Sequence, residues 1–105
     1  MKDAYKLVRA ISQGERNIIL IRLLEQKMNI SELAKASNLD RATVSYHLGI
    51  LEGAEIVSSE YIMLEPPHSK GKVGRYYTVN PKGFEKAIKA LDEVTKSLKA
   101  SQKNA

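Results

Sequence analysis

The residues between 41 and 52 have an unusual composition for a helix that merely faces solvent. Their polar stripe consists of small residues, short hydrogen-bonding groups, one cation and one aromatic ring, rather than paired Glu and Lys. Such side chains fit a DNA major groove, where space is limited and base edges offer hydrogen-bond donors and acceptors. An ordinary amphipathic helix is the alternative, since each of these residue types is common. The stripe is formed by Arg41, Ala42, Thr43, Ser45, Tyr46 and Gly49.

Start and stop signals bound this helix. Asp40 is the expected N-cap, because its carboxylate can accept hydrogen bonds from the free backbone N–H groups of the first turn. Gly53 is expected to end the helix in a left-handed conformation. Apolar residues at spacings of four and three predict the face that packs on a core. These residues are Val44, Leu48 and Leu51.

A shorter helix precedes this one. Ser31 is expected to cap its first turn, and Leu33 and Ala34 are expected to face the core. The turn 37–39 follows, in which Asn38 tolerates a left-handed backbone better than most residues do. Two helices joined by so short a turn cross steeply, so residues 30–53 are predicted to form a helix-turn-helix.

Residues 55–80 are predicted to form a β-hairpin. An apolar run at 61–64 and an alternating run at 73–79 give the strands, with Tyr77 and Val79 facing inward. The segment between them, rich in Pro and Gly, is a loop.

This hairpin also holds the densest positive charge of the chain. Residues 66–83 contain four basic groups and no acid, within a chain whose net charge is +5. Phosphates attract such charge, so Lys70, Lys72 and Arg75 are predicted to contact the DNA backbone or the minor groove. A solvated loop that repels acidic neighbours is the alternative.

Two stretches of the sequence resemble a known family. The segment ISELAKASNLDRATVSYHLGILEGAEIV resembles the helix-turn-helix of ArsR-type winged-helix transcription regulators, and GRYYTVNP resembles the second strand of their wing. The resemblance implies a mainly α, α+β fold, and a homodimer that represses transcription from operator DNA, often releasing it when a metal binds. It assigns base contacts to Arg41, Ala42, Thr43, Ser45 and Tyr46, and it matches the family's His-Leu pair at His47 and Leu48.

The family's metal sites do not carry over to this chain. It contains no cysteine, and residues 81–105 contain no histidine. His47 is therefore expected to be a packing or phosphate-adjacent residue, and His68 an exposed loop residue, rather than metal ligands. Gly71 and Gly74 lack the context of a phosphate-binding loop, and no nucleophile has a paired base. We expect no metal, no cofactor, no evident small-molecule effector and no enzymatic activity.

The flanking helices are expected to mediate self-association. A first helix is predicted at 3–12 and a second at 14–27, whose apolar stripe is wide enough to serve a partner, although a helix packed on several sides of the core is the alternative. Pro81 begins a last helix that extends to about residue 100 with a heptad seam, followed by a disordered tail. The predicted dimer contacts are Leu7, Ile11, Ile18, Ile21, Phe84, Ile88, Leu91 and Leu98.

The chain of 105 residues is the size of one domain, with the helix-turn-helix at 30–53, the wing at 55–80 and a C-terminal helix at 81–100. It lacks a membrane-spanning run and a leader, so a cytoplasmic location is expected. The sequence favours a homodimeric, sequence-specific regulator of transcription, most simply a prokaryotic repressor, that binds double-stranded DNA. A winged-helix module that docks proteins in a transcription or replication assembly, and a nucleoid protein with little sequence preference, are the alternatives.

Overall fold

The computed structural model describes residues 2–63 and 73–103, and within them the chain forms five helices and one antiparallel hairpin. This order of elements confirms the predicted α+β winged helix. The predicted DNA contacts Lys70 and Lys72, and His68, lie outside the described residues. The elements are α1 (Lys2–Ile11), α2 (Gly14–Glu25), α3 (Ile30–Ser37), α4 (Arg41–Gly53), β1 (Val57–Met63), β2 (Val73–Val79) and α5 (Pro81–Lys103).

The core lies where α2, α3 and α4 meet the base of the hairpin. Each helix contributes an aliphatic stripe at spacings of three and four, and the turn before β1 adds Ile56, which is fully buried. Burying one such side chain contributes roughly 1.5 to 3 kcal/mol, so this small cluster supplies much of what fixes the position of α4. The most deeply buried large side chains are Ile19, Leu33, Val44, Leu48, Leu51 and Ile56.

The second helix ends earlier than the sequence predicts. It stops at Glu25, and Gln26 already has extended backbone angles. The cause is a bridge between Met28 and Tyr77, in which each backbone N–H donates to the other carbonyl, at 3.3 and 2.8 Å. The chain must leave the helix to reach β2, so the predicted end at Lys27 is wrong by two residues.

The cap of α3 also differs from the prediction. Asn29, not Ser31, is the N-cap, and its side chain accepts from the Glu32 N–H at 2.8 Å while the Glu32 carboxylate accepts from the Asn29 N–H at 3.0 Å. This reciprocal pair is a capping box and satisfies two backbone donors at once. The predicted left-handed Asn38 is confirmed, with φ of 54°.

The turn after α4 uses a different residue from the one predicted. Gly53 is the last helical residue, and the left-handed conformation falls on Glu55, with φ of 61°. Another glycine is critical here, because a Cβ on Gly83 of α5 would lie 1.7 Å from the Glu55 carbonyl oxygen. Glycine therefore allows α5 to pack directly on the backbone of this turn.

The last helix packs most closely through small residues that lie beside the predicted seam, while Phe84 and Leu91 of the seam are partly buried against the core. Its buried side is made of small residues, namely Gly83, Ala87 and Ala90. These lie one position before the predicted Phe84, Ile88 and Leu91, because close approach to α1 and to the turn at Glu55 excludes bulk. The helix also continues to Lys103, so the disordered tail predicted from residue 101 is wrong for the described residues.

Candidate nucleic-acid interface

The polar stripe of α4 faces away from the rest of the protein. Arg41, Ala42 and Ser45 are exposed, Tyr46 is 63% exposed and Thr43 is half-buried. The opposite stripe packs in the core, as predicted. A rigid helix therefore presents a surface of small polar groups and one aromatic ring that no described part of the chain covers.

Asp40 fixes the start of this helix. Its carboxylate accepts a hydrogen bond from the Thr43 backbone N–H at 2.7 Å, which confirms the predicted cap. The Thr43 backbone and side chain stabilise the charged carboxylate and lower the pKa of Asp40 below its ordinary value. The first turn is therefore ordered where the side chains of Arg41 and Ala42 project.

Arg41 reaches across to the start of α3. Its guanidinium donates to the Ser31 hydroxyl, and the two residues share a concavity of about 200 Å³ with Asn29, Ile30 and Arg75. The N-terminus of α3 adds the positive end of a helix dipole to these two guanidinium groups. Such a site is suited to an anion, and a DNA phosphate is one.

Arg75, predicted to contact DNA, is held by the protein itself. Its Nη2 donates to both carboxylate oxygens of Glu52, at 3.1 and 3.2 Å, and its Nε donates to the Ser59 hydroxyl at 3.0 Å. The guanidinium also lies 5.0 Å from the ring centre of Tyr77, and burial raises the pKa of that phenol above its ordinary value. Arg75 therefore joins the hairpin to the end of α4. The sequence feature that could have indicated this contact is Glu52, because it is the one acidic residue of α4.

A second link, which the sequence did not reveal, lies on the inner side of α4. His47 is 3% exposed, and its Nδ1 accepts a hydrogen bond from Arg16 Nε at 3.1 Å. Its Nε2 therefore carries the proton and donates to Glu15, 3.2 Å away. Arg16 also donates to the carbonyls of Arg9 and Ala10, at the end of α1. The packing role expected for His47 is confirmed, and the network ties α4 to both α1 and α2.

The predicted dimer residues fall into two groups. Ile11 belongs to the monomer core, being 6% exposed, while Leu7, Phe84 and Leu91 are partly buried against that core. Only the second group offers extensive free surface. It comprises Ile18, Ile21, Ile88 and Leu98, which are 42%, 55%, 46% and 66% exposed.

Among the side chains described in residues 4–63 and 73–103, no three of the His, Cys, Asp and Glu types converge to hold a metal ion. None of the helices in the same ranges has the length and apolar character needed to cross a membrane.

Comparison with known proteins matches the part of the chain that contains the helix-turn-helix. Residues 13–59 match the family described as bacterial regulatory protein, arsR family. The matched segment contains α2, the helix-turn-helix of α3 and α4, and the start of β1. An uncharacterised HTH-type transcriptional regulator of Methanocaldococcus jannaschii is 41% identical over 61 residues, which are 58% of this chain and 64% of that relative. The matched stretch thus spans somewhat less than two thirds of the relative's length.

Solved structures show that the winged helix fold extends beyond the matched segment. The crystal structure of a possible transcriptional regulator for arsenical resistance has a TM-score of 0.69 at 20% identity, covering 85% of this chain and 83% of that one. The homodimeric winged helix-turn-helix DNA-binding domain of a possible ArsR-family regulator from Mycobacterium bovis has a TM-score of 0.64 at 19% identity, covering 96% and 84%. The family and these relatives are regulators rather than enzymes, which is the class predicted from the sequence.

Proposed function

We propose that this protein is a homodimeric regulator of transcription, acting as a repressor, that binds double-stranded DNA with sequence preference. In this proposal α4 enters the major groove and the hairpin follows the phosphate backbone. No small-molecule effector is part of it, and a DNA partner would place the protein in the cytoplasm. The relatives named as transcriptional regulators support the DNA partner.

One observation supports this function above the others, namely the uncovered face of α4. Ser45 and Tyr46 project from a helix whose opposite side is fixed in the core and whose ends are held by Asp40 and by the pair of Glu52 and Arg75. A helix that reads bases must hold its side chains in fixed positions, because base-edge hydrogen bonds are directional. Rigidity on one side with small polar groups on the other meets that need.

Selection of bound duplexes from a random library tests the proposal. We expect a two-fold-symmetric consensus, because the two recognition helices of a dimer read half-sites about 34 Å apart. Replacing Ser45 by Ala should change the preference at one base pair by roughly 1 to 3 kcal/mol and leave binding to unrelated DNA unchanged. Ser12→Ala, at an exposed serine between α1 and α2, is the matched control. Absence of any enrichment would favour the nucleoid alternative.

The far half of α5 supports the homodimer. Beyond Leu91 the helix leaves the core, and Leu98 is 66% exposed. A groove of about 380 Å³ between α1 and α5 is lined by apolar and small groups that include Tyr5, Ala90 and Val94. An isolated helix of this length would fray in water, so a second copy that covers this groove would stabilise it.

Sedimentation velocity tests the dimer. Leu98→Asp should shift the protein from dimer to monomer, because a carboxylate buried in an apolar interface is strongly unfavourable. Lys99→Asp places the same acid one residue further along the exposed helix and should leave the dimer intact. A monomeric wild-type protein, or a dimer that tolerates Leu98→Asp, would contradict this interface.

One observation favours the protein-docking alternative. The outer side of α2 exposes an apolar row of Ile18, Ile21 and Leu24, between 42% and 55% exposed. Apolar rows of this kind commonly mark protein contacts. If the wild-type protein shows no salt-dependent affinity for DNA, this alternative replaces the regulator.

A further inference from the structure

A basic concavity borders α4 on the side away from the hairpin. It has a volume of about 440 Å³ and is lined by three cations, two tyrosines and one isoleucine, with no carboxylate. The cations come from α1 and α2, whereas the sequence placed DNA contacts only on α4 and the hairpin. The lining residues are Tyr5, Lys6, Arg9, Arg16, Tyr46 and Ile50.

The position of this concavity follows from helix geometry. Arg41 and Glu52 lie on the flank of α4 that contacts Ser31 and the hairpin. Tyr46 and Ile50 lie about 120° to 180° away from these two residues around the helix axis, at 3.6 residues per turn. The exposed stripe of α4 therefore has a basic rim on each side: the concavity of Arg41 and Arg75 on one, and that of Lys6 and Arg9 on the other.

The cations of this second rim differ in how they are held. Arg16 is fixed by its hydrogen bonds to His47 and to the carbonyls of Arg9 and Ala10, so it contributes a stationary positive charge. Lys6 and Arg9 are exposed and form no ion pair with the side chains described in residues 4–63 and 73–103. Their charges are thus available to an anion that approaches along α4.

We infer that Lys6 and Arg9 bind the phosphate backbone of the DNA strand that borders the major groove opposite the hairpin. The inference rests on the proposed function. A helix in the major groove, which is about 12 Å wide, has a phosphate backbone on each side, and the two basic rims of α4 match this arrangement. Contacts on both backbones would fix the depth and register of the helix, because phosphate contacts position a protein on the duplex.

Salt titration of DNA binding tests the inference. Affinity for one duplex is measured by fluorescence anisotropy at several salt concentrations for wild type, Lys6→Gln with Arg9→Gln, and Lys86→Gln with Lys89→Gln. The last pair removes the same charge from exposed positions of α5. We expect the first pair to make the slope of log K against log salt shallower by about 1.8 for each protomer, since each phosphate contributes about 0.9. The control pair should keep the wild-type slope.

A hydroxyl-radical footprint locates the contact. The Lys6 and Arg9 variant should lose protection on one edge of each half-site while the centre of the half-site stays protected. Equal slopes of log K against log salt for the two charge-matched variants, or an unchanged footprint, would overturn the inference. Neither result would contradict the proposed function as a regulator of transcription. A wild-type protein without salt-dependent DNA binding would overturn the proposed function itself. Far-UV circular dichroism shows that each variant remains folded.

Discussion

The two sides of α4 are joined to the rest of the protein by different chemistry. On the inner side, His47 is nearly inaccessible and lies between Glu15 and Arg16, which also holds the end of α1. On the outer side, Arg75 Nη2 and both carboxylate oxygens of Glu52 form an ion pair whose side chains are 41% and 30% exposed. Each link joins residues that are far apart in sequence, so each forms only when the chain is folded.

Because of this difference, we expect one link to stabilise the fold and the other to orient the hairpin. A buried hydrogen-bonded network loses much when one member is removed, because the remaining polar atoms stay buried without partners. A partly exposed ion pair contributes little to stability, since water and salt compete with it. We therefore expect the inner link to hold α4 in the fold, and the outer link mainly to fix the angle of the hairpin.

Removing Arg16 should have the largest effect. Arg16→Met takes away the donor to His47 Nδ1 and to two carbonyls, and we expect it to lower the free energy of unfolding by about 2 kcal/mol. Urea denaturation followed by circular dichroism measures this change. Arg22→Met is the control on the same helix, because its 3.6 Å pair with Glu25 is exposed and should cost at most about 0.5 kcal/mol. Equal losses in the two variants would show that the inner network adds no stability.

The outer link should give a smaller and salt-dependent effect. A double-mutant cycle with Glu52→Gln and Arg75→Gln should give a coupling energy of about 0.5 to 1 kcal/mol at low salt, decreasing at high salt. The measurement is again urea denaturation, repeated at the two salt concentrations. The pair of Lys96 and Asp92, exposed on α5 at 3.0 Å, is the reference and should give less. A coupling as large as the Arg16 loss would remove the distinction between the two links.

The sequence predicted the start of α4, which depends on neighbouring residues, although two other local predictions, the cap at Ser31 and the left-handed stop at Gly53, were wrong. Asp40 and Asn38 act within one turn of their own positions, so their residue types sufficed. The inward Tyr77 followed from strand alternation in the same way.

Features set by distant contacts were not predicted. The small-residue stripe of α5 depends on how closely Gly83 approaches the Glu55 carbonyl, and no local pattern reports that distance. The early end of α2 depends on the bridge to Tyr77, and the links of Arg16 and Arg75 join elements 31 and 23 residues apart. For this reason heptad spacing in the sequence predicted a seam of large residues on α5, and not the small residues beside it that are buried.

The cap of α4 should give the smallest effect and a characteristic pH dependence. The pKa of Asp40 is lowered in the folded protein, chiefly by the Thr43 backbone N–H, so the carboxylate adds stability above its unfolded pKa. That contribution is lost as the pH falls through the folded pKa. In Asp40→Asn the amide oxygen can still accept the Thr43 hydrogen bond but carries no charge. We expect wild type to be the more stable at neutral pH and the difference in melting temperature to shrink as the pH falls through the acidic range. A difference that stays constant with pH would mean that the charge of Asp40 contributes nothing to the start of α4, which would leave the two links of Arg16 and Arg75 as its main restraints.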